Sequence, residues 1–178
     1  MLAAFLEAGI EPCIYVEHDD VDVFVSDSPS THPEHLSSFG EWARPGDLRS
    51  VVRDHPVLAF GVLGVPPSTV EGLEDAISPI ANPHVSVERQ YDPGSLTVTV
   101  APPELSKWDG VEAFCRHRGL DASKVLAIGD GPNDLELLDG AAVAVVPEDS
   151  HAEALARADH VVHRAIDGGW AELLRYLD

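Results

Sequence analysis

The stretch VLAIGDGPNDLELLD, residues 125–139, predicts a strand, a tight turn and a helix in immediate succession. Its first four residues are apolar, and the run is short enough for a buried strand. Two glycines and Pro132 follow, and leucines at helical spacing come next; proline is well tolerated in the first turn of a helix. We therefore predict an α/β fold in which this strand belongs to a parallel sheet.

Three polar side chains in this turn, Asp130, Asn133 and Asp134, lie at the carboxyl end of the predicted strand. Ligands bind at that edge in open α/β sheets. The loop can fold both carboxylates toward one point, and hard oxygen ligands there suit Mg²⁺, which takes one or two carboxylates, waters and substrate phosphate. Asp and Asn are also ordinary turn and cap residues, so a purely structural role stays open.

A lysine precedes the helix that leads into this turn. The chain has two lysines, Lys107 and Lys124, and its other basic residues are nine arginines. The ammonium group of Lys107 can pair with Asp134 or with a phosphoryl oxygen. The alternative is a solvated surface lysine, although a positive charge is unfavourable at the start of a helix.

Three segments together resemble the third and fourth motifs of haloacid dehalogenase superfamily phosphatases, and most closely the Cof-type sugar phosphatases that carry an α/β cap. The segments are Ser106-Lys107, GDGPND at 129–134 and AAVAV at 141–145. In that family the lysine steadies the nucleophilic aspartate and the phosphoryl group. The first Asp of the G-D-x-x-N-D motif binds Mg²⁺, and the Asn and the second Asp complete the metal and phosphate surroundings.

By position, the resemblance implies catalytic roles for Lys107, Asp130 and Asp134 and substrate binding by Lys107 and Asn133. It implies a Mg²⁺ site made by Asp130, Asn133 and Asp134. The fold that it implies is an α+β cap followed by part of a doubly wound, Rossmann-like parallel sheet. The activity that it implies is Mg²⁺-dependent hydrolysis of a small phosphorylated metabolite, such as a sugar phosphate.

One family motif has no clear counterpart in this sequence. The family opens with a strand ending in D-x-D-G-T, which carries the nucleophile and the general acid–base. Asp20-Val21-Asp22 matches only by letter and lies in a predicted hairpin turn, and the segment beginning at Asp27 lacks the second Asp and the glycine. We therefore expect the chain to begin at the cap, to lack the first part of the core and to be inactive alone.

The balance of charges excludes two classes of partner. The formal net charge is −20, and such a field repels nucleic acid and anionic membranes.

No apolar run approaches the length that crosses a bilayer, and the first residues do not form a signal peptide. Cys13 and Cys115 provide no disulfide framework, so we expect a cytoplasmic protein.

The order of predicted elements divides the chain at Pro102 and Pro103. We predict a cap at 1–103 with four or five strands and with helices on one face of the sheet. Two pairs of these strands should form hairpins. One of its helices should span 68–80, with Ser68 as N-cap. The core portion, 104–178, should contain strands at 125–128, 143–146 and 160–163. It should also contain a helix capped by Ser150 and a final helix at 170–177.

Three groups of polar residues in the cap allow a functional and a structural reading. The first hairpin tip could be a metal cluster or a solvated turn, and the turn is favoured. His32 and His35 lack the helical spacing of a zinc motif and indicate a helix entry. The strand that includes 89–91 could face a ligand or solvent. The tip residues are Glu17, His18, Asp19, Asp20 and Asp22, and those near the second hairpin are Arg89, Gln90 and Tyr91.

Two other classes of function remain open at this stage. The chain could be a non-catalytic module that binds a phosphorylated ligand or a metal with half of the site. It could also be an interaction domain whose acidic surface meets a basic partner. Since the acidic residues are spread along the whole chain, we interpret them as solvation of the surface.

The strand at 125–128 generates a prediction about assembly. Without a neighbouring nucleophile strand it has an unpaired apolar edge, and such edges recruit another chain. We expect the chain to dimerise, to aggregate or to associate with the missing core segment. Light scattering should report a mass above the 19.1 kDa of one chain. A monodisperse, highly stable monomer would contradict this expectation.

Overall fold

Residues 1–87, 92–103 and 105–177 are described by a computed structural model. By its contacts the chain separates into two units, Met1–Glu104 and Leu105–Asp178. The division falls next to Pro102 and Pro103, where consecutive prolines prevent either a helix or a sheet from continuing. Arg89, Gln90 and Tyr91, which the sequence offered as ligand-facing candidates, lie outside the described residues.

The first unit is built around one mixed sheet. Its strands are β1 (Cys13–Val16), β2 (Val23–Val25), β3 (Ala43–Pro45), β4 (Val57–Val65), β5 (Asn82–Val87) and β6 (Leu96–Ala101). Its helices are α1 (Leu2–Glu7), α2 (Pro33–Phe39), α3 (Leu48–Asp54), α4 (Pro67–Val70) and α5 (Leu73–Ile77), with a 3₁₀ turn at Gly40–Trp42.

The strands of the first unit follow the order β3-β2-β1-β4-β6-β5. Both predicted hairpins are confirmed, since β1 pairs antiparallel with β2 and β5 pairs antiparallel with β6. The sheet has six strands within the described residues, whereas four or five were predicted. The unpredicted strand is β3, which pairs parallel with β2; it is only three residues long and contains a proline, so its sequence shows no strand pattern.

Helices pack on both faces of this sheet, so the prediction of helices on one face was wrong. Strands direct successive side chains to opposite faces. Ile14 and Val16 of β1 therefore join the larger core, to which α1, α3, α4 and α5 contribute. Cys13 joins a smaller apolar cluster on the other face, where Leu36 and Phe39 of α2 pack.

A buried hydrogen-bond network attaches α2 to this second face. The Leu63 amide donates to Thr31 Oγ1 at 2.9 Å, and Thr31 Oγ1 lies 3.0 Å from His35 Nδ1. The other ring nitrogen of His35, Nε2, lies 3.3 Å from the Tyr15 hydroxyl. Burial raises the pKa of the Tyr15 phenol above its ordinary value and that of the Cys13 thiol to about 11, so both groups stay neutral. His35 thus has a structural role at a helix entry.

The prediction of one long helix at 68–80 was wrong. Two short helices, α4 and α5, replace it, and Ser68 lies inside α4 and is not its N-cap. The break falls at Gly72, whose backbone has φ +77, a left-handed conformation that glycine adopts without a steric penalty. The apolar periodicity continued across this break because both helices bury side chains against the same sheet face.

The second unit contains a three-stranded parallel sheet in the order β7-β8-β9. The strands are β7 (Leu126–Ile128), β8 (Val143–Pro147) and β9 (His160–Val162), as the sequence predicted to within two residues. The α-helices are α6 (Lys107–Arg118), α7 (Leu135–Gly140) and α8 (Ala152–Leu155). The 3₁₀ segments are Ala122–Lys124, Pro132–Asp134, Ala165–Asp167 and Gly169–Arg175.

Two predictions for the end of the second unit need correction. His151, and not Ser150, caps α8, because its ring nitrogen Nδ1 accepts the Glu153 amide at 3.4 Å. The final segment is a 3₁₀ helix at Gly169–Arg175, where an α-helix at 170–177 was expected. Glu172 in this segment accepts the backbone N–H of His163 at 3.2 Å, which ties the segment to the end of β9.

Membrane-spanning helices were sought in the described part of the chain, and none of its helices combines the necessary length with the necessary apolar character. Within the same residues β7 occupies one edge of the parallel sheet. The assembly expected from that edge stays a prediction.

The α2 network supports a stability prediction. Thr31→Val keeps the side-chain shape but leaves the Leu63 amide and one His35 ring nitrogen without the hydroxyl partner. We expect a loss of about 1–3 kcal/mol in the free energy of unfolding of the first unit. Urea denaturation followed by the amide NMR signals of β1 and β4 measures it. Ser37→Ala, which removes an exposed hydroxyl from the same helix, should change it by less than about 0.5 kcal/mol.

Candidate active site

The acidic loop begins where β7 ends. Since β7 and β8 are parallel, their carboxyl ends meet at one edge of the sheet. The Gly129 amide donates to Val145 O at 3.3 Å and extends the pairing by one residue. The chain then turns away, and the 3₁₀ segment Pro132–Asp134 leads directly into α7. The predicted sequence of strand, turn and helix is therefore confirmed.

Asp134 is the residue that gives this loop its shape. Its side chain is 7% exposed, and its Oδ2 accepts the backbone N–H groups of Asp130 at 3.0 Å and Gly131 at 3.1 Å. The carboxylate therefore holds the start of the loop against its end. Its other oxygen, Oδ1, accepts a hydrogen bond from Lys107 Nζ at 2.5 Å.

The first turn of α6 sets the position of the Lys107 backbone. Ser106 caps this helix: its hydroxyl accepts the Asp109 amide at 3.3 Å, while Asp109 Oδ2 accepts the Ser106 amide at 2.7 Å. This reciprocal capping box fixes the residue that precedes Lys107. The positive charge of Lys107 at a helix start, unfavourable for the helix dipole, is compensated by the carboxylate of Asp134.

Gly129 allows Asp134 to pack closely against the loop. A Cβ atom placed on Gly129 would lie 2.5 Å from Asp134 Cβ and 2.9 Å from its Cγ, which is closer than real atoms approach. Since Gly129 does not have a positive φ, this position requires glycine for lack of space and not for backbone freedom. Any side chain here would displace the carboxylate that holds the loop.

Opposing effects act on the ionisation of Asp134. Burial by itself raises the pKa of the carboxyl group. The hydrogen bonds from Lys107, Gly131 and Asp130 favour the charged form and outweigh burial, so the pKa lies below its ordinary value of 3.8. Asp134 is therefore a carboxylate at neutral pH, and the positive charge of the Lys107 ammonium balances its negative charge.

Asp130 differs from Asp134 in exposure and in bonding. Its side chain is exposed, and no donor among the described residues bonds its carboxylate. Asn133 is half-buried, with its Oδ1 close to Gly131, the residue that follows Asp130. A free carboxylate with a neighbouring carboxamide oxygen provides the hard ligands that Mg²⁺ prefers. No group of three His, Cys, Asp or Glu side chains in the described ranges could hold a metal, but Mg²⁺ completes its shell with water and substrate phosphate.

A second loop at the same sheet edge was missed by the sequence analysis. It follows β8, and the His151 amide donates to Asp130 O at 2.9 Å, which joins it to the acidic loop. The Ser150 hydroxyl is buried and has no hydrogen-bond partner within the part of the chain that the structure describes. The rule that ligands lie at the carboxyl ends of parallel strands would have identified this loop.

The structure thus brings Lys107, Asp130, Asn133 and Asp134 together in the second unit. The two nucleophile candidates lie in the first unit. Asp20 and Asp22 belong to the connection between β1 and β2, which confirms the predicted hairpin turn, and Asp27 follows β2. The catalytic and metal-binding roles implied for the four residues of the second unit stay predictions.

Comparison with known proteins gives the family. A model of the haloacid dehalogenase-like hydrolases matches residues 66–174. A phosphoglycolate phosphatase of Haloarcula marismortui is 37% identical over 73 residues, which make up 41% of this chain and 32% of that enzyme. The alignment therefore spans about a third of the length of this relative.

Solved structures share the fold over nearly the whole chain. A protein of Thermotoga maritima superposes with a TM-score of 0.69 at 15% identity, covering 99% of this chain and 64% of its own. A sugar phosphatase of haloacid dehalogenase subclass IIB gives a TM-score of 0.68 at 20% identity, with 98% and 64% covered. At these identities the similarity supports the fold, and it confirms the predicted haloacid dehalogenase-like α/β architecture.

Asp134→Asn tests the contribution of the carboxylate to the loop. We expect the opening free energy of β7 and β8 to fall by about 1–3 kcal/mol at pH 7, because an amide cannot satisfy all three donors. Since the folded-state pKa is lowered, this stabilisation is present above about pH 4 and disappears as the pH falls through that pKa. Wild type and variant should therefore converge in acid.

Amide hydrogen exchange of the two strands measures this difference. Asp139→Asn is the matched control, because Asp139 lies in α7, the helix that Asp134 precedes, and pairs with Arg157 in a partly exposed ion pair. Its effect should be below about 1 kcal/mol. An effect of Asp134→Asn that stayed constant down to the lowest pH would refute the assigned role of the carboxylate.

Proposed function

This chain belongs to the haloacid dehalogenase-like hydrolases, and from that premise we propose that its second unit supplies the Mg²⁺-binding and phosphoryl-binding part of a phosphomonoesterase. The substrate class is a small phosphorylated metabolite. The observation that carries the proposal is the arrangement of charges at the sheet edge: Lys107 lies 2.5 Å from a buried carboxylate, while the neighbouring Asp130 is exposed and has no described donor.

The protein's charge makes this arrangement necessary. With a net charge of −20, the molecule repels a phosphate ester unless the local sign is reversed. The chain has only two lysines, and Lys107 is the one that lies at the acidic loop. A bound Mg²⁺ would add the remaining positive charge, and bound cations are often the largest local charges in such sites.

Each residue of the group has a distinct part in the proposal. Asp130 would hold Mg²⁺, and Asn133 and Asp134 would complete its surroundings. When bound, the metal neutralises the charge that develops on phosphoryl oxygens. The ammonium of Lys107 would donate a charge-assisted hydrogen bond to a phosphoryl oxygen without leaving Asp134, because it carries three donors.

The proposed chemistry needs a nucleophile that this chain does not visibly supply. The sequence contains no D-x-D-G-T segment: Asp20-Val21-Asp22 matches only by letter, and the segment beginning at Asp27 lacks the second Asp and the glycine. We therefore propose that the attacking aspartate comes from outside these 178 residues and that the chain alone binds Mg²⁺ and phosphate without turnover. The same observation favours the alternative of a non-catalytic phospho-ligand module.

The substrate and the setting are proposed from the relatives and from cysteine usage. The Haloarcula relative is named a phosphoglycolate phosphatase, and one structural neighbour is a sugar phosphatase. Both substrates are small, anionic and phosphorylated, and we propose a substrate of that kind. Cys13 and Cys115 are buried and free, as suits the reducing cytoplasm that we propose as the location.

Titration with Mg²⁺ and inorganic phosphate tests the proposed site. We expect Asp130→Asn to weaken Mg²⁺ binding at least about tenfold, since it removes the direct carboxylate ligand. Lys107→Met should weaken phosphate binding by a similar factor. Isothermal calorimetry measures both. Asp139→Asn and Lys124→Met are the matched controls, because they remove a carboxylate and an ammonium elsewhere in the second unit. Both should bind Mg²⁺ and phosphate as wild type does.

Turnover of para-nitrophenyl phosphate separates the enzyme from the binding module. No turnover is expected from this chain, and turnover should appear when a core segment carrying D-x-D-G-T is added. Binding that persists without turnover in that mixture would favour the non-catalytic module. Turnover by this chain alone that Asp130→Ala abolishes would show that the nucleophile lies within it. Absence of both Mg²⁺ and phosphate binding would refute the proposal.

A further inference from the structure

Helix α6, which carries Lys107, is held to its unit by few buried side chains. Among the described residues of this helix only Cys115 is buried, and Phe114 is 55% exposed. Trp108 and Val111 are half-buried. The Lys107 side chain itself is 49% exposed and has four flexible carbons, so its direction depends on how firmly the backbone of α6 is anchored.

Trp108 provides such an anchor by packing directly on Gly140. A Cβ atom placed on Gly140 would overlap three atoms of the indole ring, Cγ, Cδ2 and Cε2. Gly140 is not among the glycines with positive φ, so its backbone conformation is open to other residues. The position therefore requires glycine because the Trp108 ring occupies the space of a side chain.

The Lys107–Asp134 and Trp108–Gly140 contacts fix α6 against α7, one at each end of α7. Asp134 lies immediately before α7 and receives Lys107, whereas Gly140 is the last residue of α7 and receives Trp108. Lys107 and Trp108 are adjacent, so they project from α6 about 100° apart. A ring held on Gly140 therefore sets both the rotation of α6 and the direction in which Lys107 leaves it.

We infer that Trp108 is a positioning residue, which directs the Lys107 ammonium at Asp134 and at the phosphoryl site by packing on Gly140. The inference rests on the proposed function for the phosphoryl part only, because the Lys107–Asp134 pair is present without a ligand. Trp108 itself touches no reacting group in this scheme. Its effect passes through the orientation of α6.

Gly140→Ala is the direct test, since the added methyl group must displace the indole. We expect Lys107 to move away from Asp134, so that the nuclear Overhauser contacts between the Lys107 and Asp134 side chains are lost. Phosphate affinity should fall roughly tenfold, as for loss of one charge-assisted hydrogen bond. Proton NMR of these two side chains and calorimetry with inorganic phosphate measure the two effects.

Gly110→Ala is the matched control. Gly110 lies in α6 three residues after Lys107, and a Cβ atom there would meet nothing within 4 Å. This variant makes the same chemical change in the helix that carries Lys107, and both the Lys107–Asp134 contacts and the phosphate affinity should stay as in wild type. A rescue variant adds Trp108→Leu to Gly140→Ala, because the smaller side chain leaves room for the methyl group, and both measurements should return toward wild type.

Each result bears on the inference separately from the proposed function. If Gly140→Ala leaves the Lys107–Asp134 contacts unchanged in a folded protein, the positioning role is overturned, whether or not phosphate binds to wild type. If these contacts are lost but wild type binds no phosphate, the positioning role stands and the proposed function fails. Should Gly140→Ala unfold the second unit, Trp108→Ala, which removes the anchor without a clash, must abolish the same contacts or overturn the inference.

Discussion

The ion pair between Lys107 and Asp134 is the interaction on which the arrangement of the second unit depends. It joins the first residue of one helix to the residue that precedes another, across 27 positions of sequence. Asp134 uses its second oxygen to hold the backbone of the acidic loop. One nearly buried carboxylate therefore sets both the shape of the loop and the position of the lysine. Such a charge is stable inside a protein only when every bond around it is made.

This constraint explains why the two aspartates of the loop differ. Both carboxylate oxygens of Asp134 accept hydrogen bonds within the protein, whereas the carboxylate of Asp130 is exposed and accepts none from the described residues. Glycine is required twice for the same steric reason: Gly129 gives room to Asp134, and Gly140 gives room to Trp108. In a chain of net charge −20, the proposed site would attract an anionic substrate only if a bound Mg²⁺ added its charge to that of Lys107.

Several elements of the fold could be predicted from sequence because their signals are local. The strands of the parallel sheet are short apolar runs, and α6 carries its own capping box at Ser106. Two of the predictions that failed depended on contacts between distant residues, and a third failed at a glycine with a left-handed backbone. The helix expected at 68–80 breaks at Gly72, β3 exists only because β2 lies beside it, and α2 packs on the second sheet face through Thr31, His35 and Tyr15.

The same distinction between local signals and distant contacts applies to the site. The sequence by itself determined which residue types occupy the loop, that the loop follows a strand, and that a lysine lies at the start of the preceding helix. Spacing and composition are local properties that the chain carries without folding. Only the tertiary structure decided that Lys107 bonds Asp134, that Asp130 is left exposed, that the loop around Ser150 joins the same edge, and that Trp108 packs on Gly140. These pairings join residues far apart in sequence, and their energies depend on burial and distance, which exist only after the helices have packed on the sheet.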